Sequence, residues 1–407
     1  MFRKKFPFTL FCLLLFVSPL FAQNNNNPPV TAGKNGFVLS SPDGSFQLRL
    51  RGYVQADGRF FFDEKFQSID TFLLKRVRPI FEGTLHKYFE FRIMPDFGNG
   101  QTTLQDAYLD AKFSSAFKVR FGKTKTPFGL ERLQSATNII FIERSLATAL
   151  VPNRDVGILV SGDLAGKKIQ YTAGLMNGVV DLGSGDLETA GGGKDFVGRI
   201  FFSPVESFGI GIAITAGDRD GSATAPNLPT YRSSGQSVFF RYRTGLTPES
   251  TTVAQGDAVR FSPQFTYYKG PFGLLGEYVS SSQEVTRGMD SVEIRNDAWN
   301  LTAHYVLTGE DAGFNGVSPE EPFDMDQRKR GAWEIAFRYS RLNIADAAFP
   351  VFADSTTSAA GADNLAAGVN WYLNRNVKFS FNYDQTKFEK APIKTEKLFQ
   401  TRAQISW

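Results

Sequence analysis

From Phe46 to Trp407 the chain alternates polar and apolar residues with a period of two, segment after segment. FQLRLRGYVQADGRFFF, residues 46–62, sets Gln47, Arg49, Arg51, Tyr53, Gln55, Asp57 and Arg59 against Leu48, Leu50, Val54, Ala56 and Phe60. In a β-strand, residues two apart share a face, so one face is apolar and the other carries arginines. WEIAFRYS sets Glu334, Arg338 and Ser340 against Trp333, Ile335, Phe337 and Tyr339. VKFSFNYDQ sets Lys378, Ser380, Asn382 and Asp384 against Val377, Phe379, Phe381 and Tyr383. A soluble β-sandwich alternates in the same way. Here the segments are longer than soluble strands usually are, and aromatic residues gather near their ends. Those features point to an all-β, antiparallel, up-and-down transmembrane β-barrel. In hydrocarbon every strand must be paired and lipid-facing charge is costly, so the charged faces line a watery lumen.

The segments number about sixteen. Nine fall near 46–62, 72–87, 88–98, 104–113, 117–125, 154–166, 167–176, 195–204 and 207–217. Seven follow near 258–268, 272–282, 298–308, 332–342, 364–373, 376–386 and 398–407. VFFRYR at 238–243 is then assigned to one external excursion from Asp218 to Asp257. An even count puts both chain ends in the periplasm, and Gly309–Gly331 becomes a long periplasmic connection.

The N-terminus reads differently. Arg3, Lys4 and Lys5 precede an apolar run, and Ala22 precedes an Asn-rich stretch. Residues 1–22 are read as a secretory signal peptide, 23–45 as a flexible tail and 46–407 as the barrel. Cys12 is the one cysteine, so disulfides and thiolate metal sites are excluded once the signal is removed. Removing the three basic residues of that signal from 45 Lys and Arg leaves 42 against 41 Asp and Glu. A chain so balanced is not a nucleic-acid binder. Neither His86 nor His304 stands in a nucleophile motif, and no metal-ligand, nucleotide or redox motif is present. The reading is therefore not an enzyme, with no catalytic residue, no metal and no cofactor.

Thr126–Asn153, between the fifth and sixth predicted strands, is too long and too apolar for an exposed hairpin loop. The space for it is the lumen, where it would carry Arg132, Ser135 and Arg144 towards Lys75, Arg76, Arg78 and Asp106; the alternative is a long exposed loop or a subunit contact. Arginine and lysine narrowing a pore select anions, and the planar fork of arginine fits phosphate oxygens. A wider lumen-facing basic row comprises Arg49, Arg51, Arg59, Lys118, Arg120, Arg338 and Arg402. Two readings follow. One is a channel for passive uptake of small anions. The other is a general diffusion pore whose row is neutralised by Glu82, Glu90, Asp96, Asp106 and Asp110.

FQLRLRGYVQADGRFF, FLLKRVRPIFEGT, LQDAYLD, VRFGKTKTPFGLERLQS, ERS, LTGE, GAWEIAFRYS and GVNWYLNRNVKFSFNY, in that order, resemble the phosphate-selective porins of the O/P family. The resemblance implies a sixteen-stranded homotrimeric barrel in the outer membrane of a Gram-negative bacterium. It implies phosphate, or polyphosphate, passing a constriction built by an inward loop. Carried across, the family's loop lysine falls at Arg132, its serine at Ser135 and its loop arginine at Arg144. Its paired strand arginines fall at Lys75 and Arg76, a tyrosine beside them falls at Arg78, and its aspartate falls at Asp106. Ala136 and Tyr53 depart from the family pattern. The terminal aromatic Trp407 is the expected handle for the barrel-assembly machinery, and outer-membrane lipid the expected surroundings.

Overall fold

The structure, a computed structural model, describes residues 30–33, 36–62, 69–186, 193–391 and 394–407. The segment read as a signal peptide lies outside the described residues. Two short strands come first, β1 (Val30–Gly33) and β2 (Gly36–Ser40). Nine barrel strands follow: β3 (Phe46–Phe61), β4 (Thr71–Leu85), β5 (Phe89–Asp96), β6 (Thr103–Lys112), β7 (Lys118–Lys125), β8 (Arg154–Leu164), β9 (Ile169–Met176), β10 (Asp195–Val205) and β11 (Phe208–Asp220). A separate hairpin is made of β12 (Thr230–Arg232) and β13 (Val238–Arg241). The remaining seven are β14 (Val253–Lys269), β15 (Phe272–Arg287), β16 (Asp290–Val306), β17 (Ala332–Asn343), β18 (Gly361–Tyr372), β19 (Val377–Glu389) and β20 (Thr395–Ser406). All sixteen predicted segments are barrel strands.

Each barrel strand pairs antiparallel with its neighbour, and β20 pairs with β3 from Leu398↔Phe61 to Ser406↔Tyr53. This closure leaves the barrel no free edge, the condition for a sheet to sit in hydrocarbon. On β19, Lys378, Ser380, Asn382 and Asp384 are buried inside while Phe381 and Tyr383 are exposed outside. Trp333 and Trp371 stack at 5.1 Å, with Phe379 beside them, as an aromatic band near the end that carries both termini.

Three segments differ from the sequence reading. Part of the supposed tail is strand, since β2 pairs with the first residues of β3, from Phe37↔Leu50 to Ser40↔Gln47, where β20 no longer reaches. The external excursion is shorter than 218–257, because Asp218 and Asp257 are themselves paired and the strands run on past them. The connection read as Gly309–Gly331 spans 307–331 in the structure; it is long but does not stay outside. Phe314 packs against Leu130, Ile140 and Phe141 inside the barrel.

One local irregularity decides the site. In the β3–β4 ladder Gln55 pairs with Arg76 and Ala56 with Leu74, so Lys75 is an extra residue in β4. Such a bulge breaks the alternation. Lys75 and Arg76, adjacent in sequence, both face the lumen.

Candidate functional site

Residues 126–153 leave β7 and cross the lumen. Their entry needs glycine: Gly129 has φ 76°, and a Cβ there would lie 2.6 Å from Val151. Leu130–Leu133 makes one helical turn and Leu146–Leu150 a short 3-10 helix, with Phe128, Leu146 and Leu150 buried. Backbone groups of the loop are taken up by lumen side chains of the far wall. The N–H of Ile142 donates to Asn382 Oδ1 at 2.7 Å, and Asn370 Nδ2 donates to the Ile140 carbonyl at 2.9 Å. Lys378 Nζ donates to the Thr137 and Ile139 carbonyls. The tip reaches β3, where Gln55 Nε2 donates to the Ala136 carbonyl at 2.9 Å. The apolar residues that looked wrong for an exposed loop form its packing against the wall, as burial of such side chains requires.

Between this loop and the β3–β8 wall lies a cavity of about 960 Å³. Eleven of its lining side chains are Arg or Lys, and one, Asp106, is acidic. Arg76, Arg78, Asp106, Arg132, Ser135 and Arg144 line it together. Lys75 does not. It meets Glu143 of the loop at 2.5 Å, and Arg59 meets the same carboxylate at 2.8 Å. Burial opposes ionisation of Glu143, yet Lys75 and Arg59 hold its carboxyl well below the usual carboxylate range.

The lumen row is largely neutralised. Arg51 pairs with Glu82 at 3.0 Å and Arg402 with Asp57 at 2.7 Å. Arg120 and Lys118 share Asp110, and Arg338 lies 3.4 Å from Glu131. Arg49 has the amide oxygen of Gln47 at 2.7 Å. Within the cavity Arg78 is paired with Asp96 at 2.7 Å and donates to Tyr53 Oη at 2.8 Å. Asp106 is taken by Arg154 at 2.8 Å and Arg92 at 3.4 Å.

Five cations of the lining are different. Among the described residues, no carboxylate lies within ion-pair distance of Arg76, Lys125, Arg132, Arg144 or the exposed Arg375, which donates to Ser318 Oγ at 2.9 Å. Arg76 donates to Gln55 Oε1 at 2.7 Å. Lys125 donates to the carbonyls of Leu133 and Gln134. Arg144 donates to the carbonyls of Glu131 and Gln134, each at 3.1 Å. Arg132 has only long contacts, to Asn153 Oδ1 at 3.3 Å and the Thr148 carbonyl at 3.5 Å, and its Nε is buried with no partner. Burial pulls the Arg132 guanidinium down from its usual range, and Arg144 and Arg154 beside it push the same way. Neutral oxygens accept these hydrogen bonds without cancelling charge, so the cluster keeps its field. Ser135 is exposed to the cavity with its hydroxyl 2.8 Å from that of Thr137.

Sequence reasoning missed Lys125, Arg154, Arg92 and Glu143. Lys125 and Arg154 are a registered pair at the loop ends of β7 and β8. Each shares its parity with outward-facing residues of its strand, Phe121 and Ile158, yet both turn inward. Alternation carried to the strand's last residue points them the wrong way. Glu143 stands beside Arg144 in ERS, and that adjacency was its available signal.

The phosphate-selective porin O and P family matches residues 46–407. Porin O of Pseudomonas aeruginosa is 25% identical over 399 residues, covering 88% of this chain and 86% of that protein. Among solved structures, the outer membrane channel DcaP of Acinetobacter baumannii has a TM-score of 0.59 at 11% identity, covering 91% of this chain and 99% of its own. The loop L8 deletion mutant of OmpT of Vibrio cholerae has a TM-score of 0.57 at 12% identity, covering 89% and 100%. OmpF of Salmonella typhi gives 0.56 at 10% identity, covering 89% and 98%. At those identities the structures speak for the fold alone, that of an outer-membrane β-barrel. The family match over nearly all of the described barrel makes this chain a member of the phosphate-selective porin O and P family, an outer-membrane channel of the Gram-negative envelope.

Proposed function

We propose that this channel conducts small anions, with phosphate or short polyphosphate held at Arg76, Lys125, Arg132 and Arg144. The observation that carries the reading is the charge imbalance of the cavity: Arg76, Lys125, Arg132 and Arg144, with the exposed Arg375, face only neutral acceptors, and Asp106 is already paired. Arg132, with only two long contacts from its guanidinium and no partner for its buried Nε among the described residues, keeps donor capacity for a tetrahedral oxyanion. A cation traversing the cavity would meet no uncompensated carboxylate. An anion would exchange water for guanidinium donors in a region where low-dielectric walls concentrate the field. Phosphate is favoured over chloride because several separate oxygens can each take a donor. The family description supports the same solute.

The alternative of a general pore is favoured by the neutralised row, in which Arg51, Arg59, Arg120, Arg338 and Arg402 each have a carboxylate. The two readings separate in a planar bilayer under a KCl gradient. The anion reading expects a chloride-favouring reversal potential and current blocked by added phosphate. A potential near zero without block establishes the general pore. Three further elements belong to the same proposal: export by residues 1–22, assembly as a homotrimer in outer-membrane lipid, and delivery to the barrel-assembly machinery through Trp407. Trp407 seals the closure by exchanging backbone hydrogen bonds with Gly52.

A further inference from the structure

We propose that Glu131 is the positioning residue of the cationic cluster: its carboxylate seats the returning limb of the inward loop and thereby sets where Arg132 and Arg144 stand. The proposal deepens the anion reading and rests on it for its selectivity readout.

A carboxylate one residue before Arg132 would be expected to pair with it. Glu131 is near enough to favour the charge of Arg132 and Arg144, yet it forms an ion pair with neither. Glu131 is buried and absent from the cavity lining, while Arg132 and Arg144 are both part of it. Its Oε2 accepts the N–H of Ser145 at 2.9 Å, the hydroxyl of Ser145 at 2.6 Å and the hydroxyl of Thr148 at 3.1 Å. Its Oε1 faces Arg338 Nη1 of β17 at 3.4 Å. The outgoing helical turn is thus tied to the start of the 3-10 helix and to the wall. Its backbone carbonyl accepts Arg144 Nε at 3.1 Å. From the opposite side Glu277 of β15 accepts the backbone N–H groups of Leu130 at 2.6 Å and Glu131 at 3.1 Å. A helical turn of four residues, Leu130–Leu133, does not hold its own shape in water. Here two carboxylates clamp it, one from the wall and one towards the returning limb. Their lone pairs are occupied by backbone and hydroxyl donors on the side away from the cavity. Negative charge therefore builds the scaffold of a positive site without entering it.

The electrostatic and positioning roles give opposite signs on substitution. Glu131→Gln removes a negative charge near the cluster. If Glu131 acted only as counter-charge, anion preference would rise or stay level. The positioning role expects anion preference to fall and phosphate block to weaken about tenfold, the scale of one lost charge-assisted hydrogen bond. The double variant Ser145→Ala, Thr148→Val changes no charge and is expected to move selectivity in the same direction. A second readout does not depend on ions. With Cys12 replaced by serine, Ala147→Cys places a single thiol in the fully buried 3-10 helix. A neutral thiol reagent is expected to leave it unmodified in the folded channel and to modify it when Glu131→Gln is added. Retained heat-modifiable migration would confirm that the barrel is intact in every variant. A rise in anion preference with Glu131→Gln, or equal thiol reactivity with and without it, overturns the proposal. A wild-type channel without anion preference would remove the anion reading and leave the thiol experiment to decide the seating.

Discussion

Replacing Arg132 by glutamine tests the cluster most directly, because Arg132 is its least committed member. Its two hydrogen bonds are long, at 3.3 and 3.5 Å, and Nε has none, so little of the loop's seating depends on it. What is lost is a full charge and a planar donor fork facing the cavity. An anion about 5 Å away gains roughly 1–3 kcal/mol from one unit charge, taking an effective dielectric constant between about 80 and 20. That is about fivefold to a hundredfold in binding. Phosphate block of single-channel current in dilute KCl should therefore weaken by at least about fivefold in Arg132→Gln. The loss should shrink as salt is raised, since the Debye length falls from ~10 Å at 0.1 M to ~3 Å at 1 M. Arg51→Gln is the control. Arg51 lines the same cavity but is paired with Glu82, and its side chain is 44% exposed. Its removal is expected to change block by less than about threefold, the range of a surface ion pair. Unchanged block in Arg132→Gln, or an equal loss in Arg51→Gln, would refute the argument that uncompensated charge makes the site.

Other outcomes follow from particular contacts. Glu143→Gln releases Lys75 and Arg59 from their shared carboxylate, so the reversal potential should move towards chloride. The carboxyl of Glu143 is held below its unfolded value, so its contribution to stability is complete above about pH 4.3 and is lost only as pH falls through the lower folded value. Thermal unfolding between pH 5 and 8 should therefore not report Glu143. Deleting Lys75 removes the β4 bulge while leaving Leu73 and Arg76 on their present faces, so the barrel should fold and phosphate block should change little. A failure to assemble would show that the bulge is structural. Gly129→Ala puts a Cβ 2.6 Å from Val151 at φ 76°, a strain of about 1–2 kcal/mol before the clash. Noisier open-channel current and weakened block are its expected signs.

The alternation of the chain determined the barrel, and the reason is the solvent. In hydrocarbon each strand must bury one charged face, and a period of two has only one inside. Lumen positions such as Asp57, Arg59, Arg338 and Asp384 could thus be assigned by parity alone. The apolar composition of 126–153 likewise required a packed place for the loop. Three cations escaped the alternation. Lys75 is inside because a bulge adds a residue to β4, and Lys125 and Arg154 are inside because they stand where strand gives way to loop. Nor could parity separate Arg51 from Arg76, which both face the lumen. Whether an arginine keeps its charge available depends on what stands across the pore, from strands and loops distant in sequence. Glu82 takes Arg51 and Asp57 takes Arg402, while Arg76 finds only the amide of Gln55. The sequence supplied the cations and the face they share; tertiary structure decided which of them are left for a solute, because ion pairing is settled over a few ångströms that sequence distance does not encode.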